Sequence, residues 1–452
     1  MLRIVQRASA GMQKKRPGSI MMKITGKQVF ITAYVYLAIP IAIFMIGWLK
    51  PLYGIPITSI ISVAMFKCFK SFEILPDNNP IPKNIFFWLV ITLIILLWVG
   101  LSGIGGFVFQ NDDHRHRNAV LHDLIDYSWP VIYDYSGLSS DFQPLSRYGA
   151  LVYYLTYWLP AAMIGKLLGW QVANLILYFW SAIGVWLAYC LFSRYLKKYT
   201  LVTLIVLIFW SGMDILGIFI NQINFSGFTQ HLEWWTGIFQ YSSNCTTLFW
   251  VFNQTIPIWV LIGILINLPN KKNIIFTYAL AFPYAPFPFL GLTPFIIYHY
   301  FVHHHEIYVI SNDKRKSIWH RVWQRMRQGL TFQNTIAAIL IFAIFSLYYC
   351  ANFNAIYRKF VFIDTDIIWV SSIYFMFCIL EFGFYAFLLF KIYRNNSWFI
   401  IAIFSLILIP FYYMGPGNDF AMRASIPALL ILMLCVLNFI LNNKNYILRK
   451  LF

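Results

Sequence analysis

Residues Ile85 to Leu101 read IFFWLVITLIILLWVGL. The run has no charged residue and no apolar–polar alternation, so it does not read as a strand of a membrane barrel. Its length approaches the ~20 residues that cross roughly 30 Å of hydrocarbon. Inside lipid every backbone N–H and C=O must be satisfied within the segment, so such a run is a helix. Comparable runs recur from Val29 to Leu441. They predict an all-α polytopic membrane protein with about 10–13 transmembrane or re-entrant helices.

Composition agrees. The 452 residues are 60% hydrophobic, 20% aromatic and only 11% charged, too little charge to cover a soluble domain of this size. A net charge of +18 would point to nucleic acid in a soluble chain. Here Lys and Arg cluster in short turns, as cytoplasmic loops require, and no nucleic-acid partner is expected. The cysteines, Cys68, Cys190, Cys245, Cys350, Cys378 and Cys435, lack metal-ligand spacing and make no disulfide framework.

The charges set a topology. Residues 1–28 form a basic cytoplasmic N-terminus, and the first apolar run reads as a retained helix rather than a cleaved signal. Residues 29–452 form one transmembrane domain, with an external loop at 104–148, a basic cytoplasmic segment at 303–330 and a cytoplasmic C-terminus. Two stretches resist a simple count. Gly149 to Leu168 reads as a helix lying at or dipping into the outer face. Ile274 to Val302 is too short for two spans, and Pro283, Pro286, Pro288 and Pro294 predict two short helices around a break. Leu201 to Phe219 reads as one continuous helix.

On this topology many of the sixteen acidic residues reach the outer face: Asp112, Asp113, Asp123, Asp126, Asp134, Asp141, Asp214, Glu233, Asp364, Asp366 and Asp419. In GGFVFQNDDHRHRNAVLHDLIDYSWP, Gly105 to Pro130, Asn111 and Asp112 can cap a helix whose positive end suits acids. Arg115, Asn118, His122 and Asp126 then share one face, opposite Val120, Leu121, Leu124 and Ile125, giving an amphipathic surface helix. Such a helix is either a solvated cap or a carboxylate held beside Arg and His that bind phosphate.

A second outer cluster is HLEWWTGIFQYSS, His231 to Ser243. Trp234 and Trp235 fit an interfacial belt, or a platform for a sugar ring whose hydroxyls meet His231, Glu233 and Gln240. The third is YYMGPGNDFAMR, Tyr412 to Arg423, where Asn418, Asp419 and Arg423 open the last helix. Arg423 either bridges to Asp419 four residues earlier or binds a lipid-linked phosphate. Arg358 and Lys359 are further outer cations with the same two readings. Glu381 falls mid-span, where an ionised carboxylate is costly and often functional. His303, His304 and His305 do not share a helical face and make a poor metal site. The basic amphipathic stretch Lys314 to Arg327 suits an anionic cytoplasmic lipid surface.

An outward helix, acids at its exit and a long external loop with surface helices resemble the GT-C superfamily of integral-membrane glycosyltransferases. The stretch PLSRYGALVYYLTYWLPAAMIGKLLG, Pro144 to Gly169, is similar to that family's external segment. The resemblance covers roughly Asn84 to Arg194. Two helices precede the outward one here. The resemblance implies a GT-C-like fold and transfer from a polyprenyl-phosphate sugar at the outer face of the cytoplasmic membrane. The acceptor would be a glycan, lipid or protein. It implies for Asp112 and Asp113 the role of catalytic base, or of ligands to a divalent ion such as Mg or Mn. Arg115, Arg117 and Arg423 would neutralise the leaving phosphate, and His122, His231, Glu233, Trp234, Trp235, Asn418 and Asp419 would contact substrate. An O-antigen-type polymerase or ligase, and a non-enzymatic transporter or lipid flippase using Glu381, are the alternatives.

Overall fold

A computed structural model describes residues 25–71, 81–137, 146–220, 231–268, 271–301, 323, 326–352, 356–363 and 367–442. Asp141, Asp364, Asp366, His303 to His305 and nearly all of Lys314 to Arg327 lie outside the described residues, as does the N-terminus before Thr25.

The chain is a helical multi-pass membrane protein. Among the described residues, seven helices are long and apolar enough to cross a membrane: Gly26–Trp48, Pro51–Lys70, Trp170–Tyr195, Leu201–Ile220, Asn244–Leu265, Gln333–Cys350 and Ile367–Tyr393. Shorter apolar helices are Ile85–Leu101, Ser397–Phe411 and Ile426–Asn442. In chain order the α-helices are α1 (Gly26–Trp48), α2 (Pro51–Ser71), α3 (Ile85–Leu101), α4 (Asp112–Asp126), α5 (Leu159–Leu168), α6 (Trp170–Tyr195), α7 (Leu201–Phe209), α8 (Asp214–Ile220), α9 (Asn244–Leu265), α10 (Ile274–Ala279), α11 (Pro286–Phe301), α12 (Ala338–Cys350), α13 (Ile367–Cys378), α14 (Phe384–Tyr393), α15 (Ser397–Leu408), α16 (Asp419–Ala424) and α17 (Ile426–Asn442).

Local chemistry starts these helices. Thr25 and Gln28 close a capping box at α1, satisfying two backbone donors that would otherwise be orphaned. The Asn84 carboxamide caps α3 through the Phe86 and Phe87 amides. The prolines between 274 and 302 separate α10 from α11, as expected. The hairpin of strands β1 (Ile132–Asp134) and β2 (Tyr148–Ala150) is clasped by the Asp134–Arg147 ion pair.

Helix α9 is the centre of the bundle, and most of its length is buried. Lipid supplies no hydrophobic drive between helices, so close van der Waals packing of small residues holds them together. Gly263 illustrates this: a Cβ there would meet the Leu191 side chain of α6 at 2.7 Å. Gly291 of α11 lies against the Ala424 backbone, leaving no room for any side chain. That contact seats α16 and so fixes Arg423.

Two expectations need correction. The 149–168 stretch is not one helix: β2 and a 3-10 turn at Leu155–Trp158 precede α5, because Tyr148–Ala150 pairs with β1 instead. The run from Leu201 is broken at residues 210–213. Asn244 N–H bonds to the Trp210 carbonyl and Met213 N–H to the Leu380 carbonyl, so the freed backbone finds partners. The span around Glu381 is interrupted by a π-turn, Ile379–Gly383, a feature that often marks functional sites.

A second ladder joins β3 (Arg358–Phe360) to β4 (Tyr412–Met414), antiparallel, with Arg358 opposite Met414. Arg358 and Lys359 therefore serve a strand that anchors the loop leading to Asp419.

Candidate functional site

Asn111 shapes the first wall. Its side chain caps α4 through the His114 amide at 3.3 Å and donates to the Phe249 carbonyl of α9 at 3.1 Å. This turns one face of α4 onto the kink in α9, where Val251 leaves helical geometry. Thr255 stabilises the kink by donating to the Thr247 and Val251 carbonyls. Phe252, just past the kink, packs against His114 at 5.6 Å and lies 5.5 Å from the Arg117 guanidinium.

Burial decides the roles along α4. Arg117 is 4% exposed and binds the half-exposed Asp113 at 2.7 Å. Burial draws the His114 imidazole down to about 4, and the Arg117 charge adds to the effect. The neutral ring hydrogen-bonds the Ser102 carbonyl.

The second wall comes from the far end of the chain. Gly415, Gly417 and Asn418 all take positive φ, turning the chain sharply before α16. Asn418 then caps α16 through the Ala421 amide. Arg423, 8% exposed, pairs with Asp419 at 2.9 Å and donates to the Tyr154 hydroxyl at 2.9 Å. Tyr154 is held in turn by its neighbour, since the Tyr153 amide donates to Tyr348 and the two rings lie 4.0 Å apart.

These two walls face each other. Arg117 and Arg423 repel one another, and Asp113 acts on both Asp419 and Arg423. Burial raises the Asp419 carboxyl above its ordinary range, with the two arginines opposing it. Three buried guanidinium nitrogens, Nε and Nη1 of Arg117 and Nε of Arg423, donate to nothing among the described residues. A buried unsatisfied charged donor is costly, and guanidinium forks match phosphate and carboxylate geometry.

Comparison with protein-family models, with curated proteins and with solved structures gives no match. The functional reading therefore rests on the geometry.

The structure brings Asp113, Arg117, Asp419 and Arg423 together, with Asn418 as the cap that positions them. It separates others. Asp112 is exposed on the first turn of α4, where it complements the helix dipole. Arg115 is exposed, and His122 stacks on Trp170 at 3.7 Å, away from the arginines. Asp112 and Asp113 do not suit one metal ion: neighbouring side chains diverge by about 100° on a helix, and Asp113 already binds Arg117. Among the described residues no three His, Cys, Asp or Glu side chains are arranged to hold a metal.

The Trp234–Trp235 pair is split. Trp235 is buried and donates to Glu381 at 3.0 Å, so it offers no platform. Trp234 is half-exposed, donates to Gln240, and lies where a Cβ on Gly417 would meet it at 2.8 Å. His231 and Glu233 lie around a separate cavity with Asp214. Tyr154 and Phe252 are site residues that sequence reasoning missed. Each looks like ordinary core until the long-range contacts are known.

Proposed function

We propose that the chain is a glycosyltransferase of GT-C-like architecture. It would use a polyprenyl-phosphate sugar at the outer face of the cytoplasmic membrane, with both termini cytoplasmic. The observation carrying this reading is the set of three unpartnered guanidinium nitrogens beside Asp113. They offer an anion three donors from two guanidinium groups beside a half-exposed carboxylate.

In the proposed step Asp113 accepts the proton of an acceptor hydroxyl. The acceptor oxygen attacks the anomeric carbon as the carbon–oxygen bond to phosphate breaks. The electron pair leaves with the phosphate, whose growing charge Arg117 and Arg423 neutralise. Phe252 holds the Arg117 plane against its face, and Tyr154 fixes the Arg423 fork. Both limit the reorganisation needed as charge moves to the phosphate.

The test is mass spectrometry of cell-envelope glycans and polyprenyl-linked intermediates from cells carrying Asp113→Asn or Asp112→Asn. Asp113→Asn is expected to lose roughly 10²–10⁴-fold of product, as for a removed general base, and to accumulate lipid-linked sugar. Asp112→Asn is expected to keep most product. Full activity of Asp113→Asn ends the base assignment.

A further inference from the structure

A second site lies apart from the arginines, around a cavity of about 620 Å³. That falls within the ~300–1,000 Å³ of small-molecule pockets. Asp214, His231, Glu233, Ser243 and Thr246 line it. Asp214 is 7% exposed, Glu233 5% and the adjoining Glu381 2%.

Hydrogen bonds organise this wall. Glu233 accepts from the Ser243 amide at 2.9 Å and the Gln240 carboxamide at 3.4 Å. Asp214 accepts from the Ser211 hydroxyl on Oδ2 at 2.9 Å, and its buried Oδ1 has no hydrogen-bond partner among the described residues. Glu381 lies beside Asp214 and accepts from the Trp235 indole at 3.0 Å. Asp214 and Glu233 face the cavity, and no lysine or arginine among the described residues lines it. The buried Nδ1 of His231 also has no partner among them.

No three acidic or His side chains among the described residues are placed to grip one metal ion. A compact inorganic ion would leave most of them unused, whereas an organic cation several ångströms long reaches more of them. We propose that this cavity binds a primary amine carried on a small polar body of monosaccharide size. The ammonium is held between Asp214 and Glu233, and the remaining polar groups meet His231, Ser243 and Thr246. This site stands whether or not Asp113 transfers sugar, so the two readings fail separately.

The test uses the full chain in phosphatidylcholine nanodiscs and isothermal titration with three probes: glucosamine, glucose and N-acetylglucosamine. They share a ring and differ in the ammonium. Glucosamine is expected to bind at least about tenfold more tightly than either neutral sugar, the effect of one charge-assisted hydrogen bond. Glu233→Gln and, independently, Asp214→Asn should remove that preference while the nanodiscs elute unchanged. Equal affinity for the three probes overturns the proposal, as does no heat with glucosamine at tens of millimolar. Wild-type binding alone decides the point if either variant fails to fold.

Discussion

Replacing Arg423 with Met separates an ion pair that merely holds α16 from an arginine that binds a ligand. Arg423 is 8% exposed and makes two contacts, to Asp419 and Tyr154, each at 2.9 Å. Removing one partner of a buried pair leaves the other charge stranded, at a cost of about 3–5 kcal/mol. Asp419 retains partial exposure, so the lower end of that range is expected here. Replacing Asp419 with Asn as well removes the stranded charge. The double variant Asp419→Asn/Arg423→Met should therefore regain much of the thermal stability that the single variant loses.

Activity should not follow. Hydrogen bonds to charged groups contribute about 1.5–3 kcal/mol each, which is roughly 10–150-fold in rate at about 1.4 kcal/mol per decade. Both the single and the double variant should make at least tenfold less glycan per molecule of inserted protein. The assay pairs differential scanning fluorimetry in detergent with mass-spectrometric product counts normalised to protein. Recovery of product along with stability in the double variant would refute a ligand-binding role, leaving Arg423 as a brace for α16.

Two further outcomes follow from the same geometry. The His114 imidazole sits at about 4 in the folded chain against an ordinary value of 6.5, so the unfolded chain takes up its proton first. Stability should be fully present above pH 6.5 and fall as pH drops toward 4, by about 3 kcal/mol at most; His114→Gln should flatten that slope in melts from pH 7 to pH 4.5. Gly417→Val would force a side chain at φ +59 into the Trp234 ring, costing about 1–3 kcal/mol of local strain. It should lower product with little change in insertion, and unchanged product would show that the 415–418 turn does not set the position of Asp419.

Much of the architecture is legible in the residues because lipid makes it so. Apolar runs without alternation leave only helices, and Pro283 with Pro286 marks the break before the helix Pro286–Phe301, which tolerates Pro294 in its interior. The Asn111 cap and the Asp419–Arg423 spacing are local and can be read four residues at a time. Long-range pairing is not local. Nothing near Asp113 indicates that its neighbours include Asp419, and nothing near Glu381 indicates Asp214. Adjacent residues also diverge. Trp234 and Trp235 lie on a tight turn that sends one ring to the Gly417 loop and the other to Glu381, a split that no periodicity reveals. The break before Asp214 falls at Ser211–Gly212, a turn-type dipeptide between two apolar stretches, and the bonds that compensate come from residues 244 and 380.

The arginine site joins the first outer helix to the last short one, with Tyr154 and Arg423 separated by 269 positions along the chain. As the polypeptide leaves the ribosome, Arg117 with its Asp113 partner enters the membrane long before Arg423 has been made. Until α16 is seated against Gly291, half of the arginine cluster does not exist. A chain truncated shortly before Arg423 would hold most of its helices and still lack the Arg423 half of the cluster. On the proposed reading, synthesis order alone withholds activity from unfinished protein.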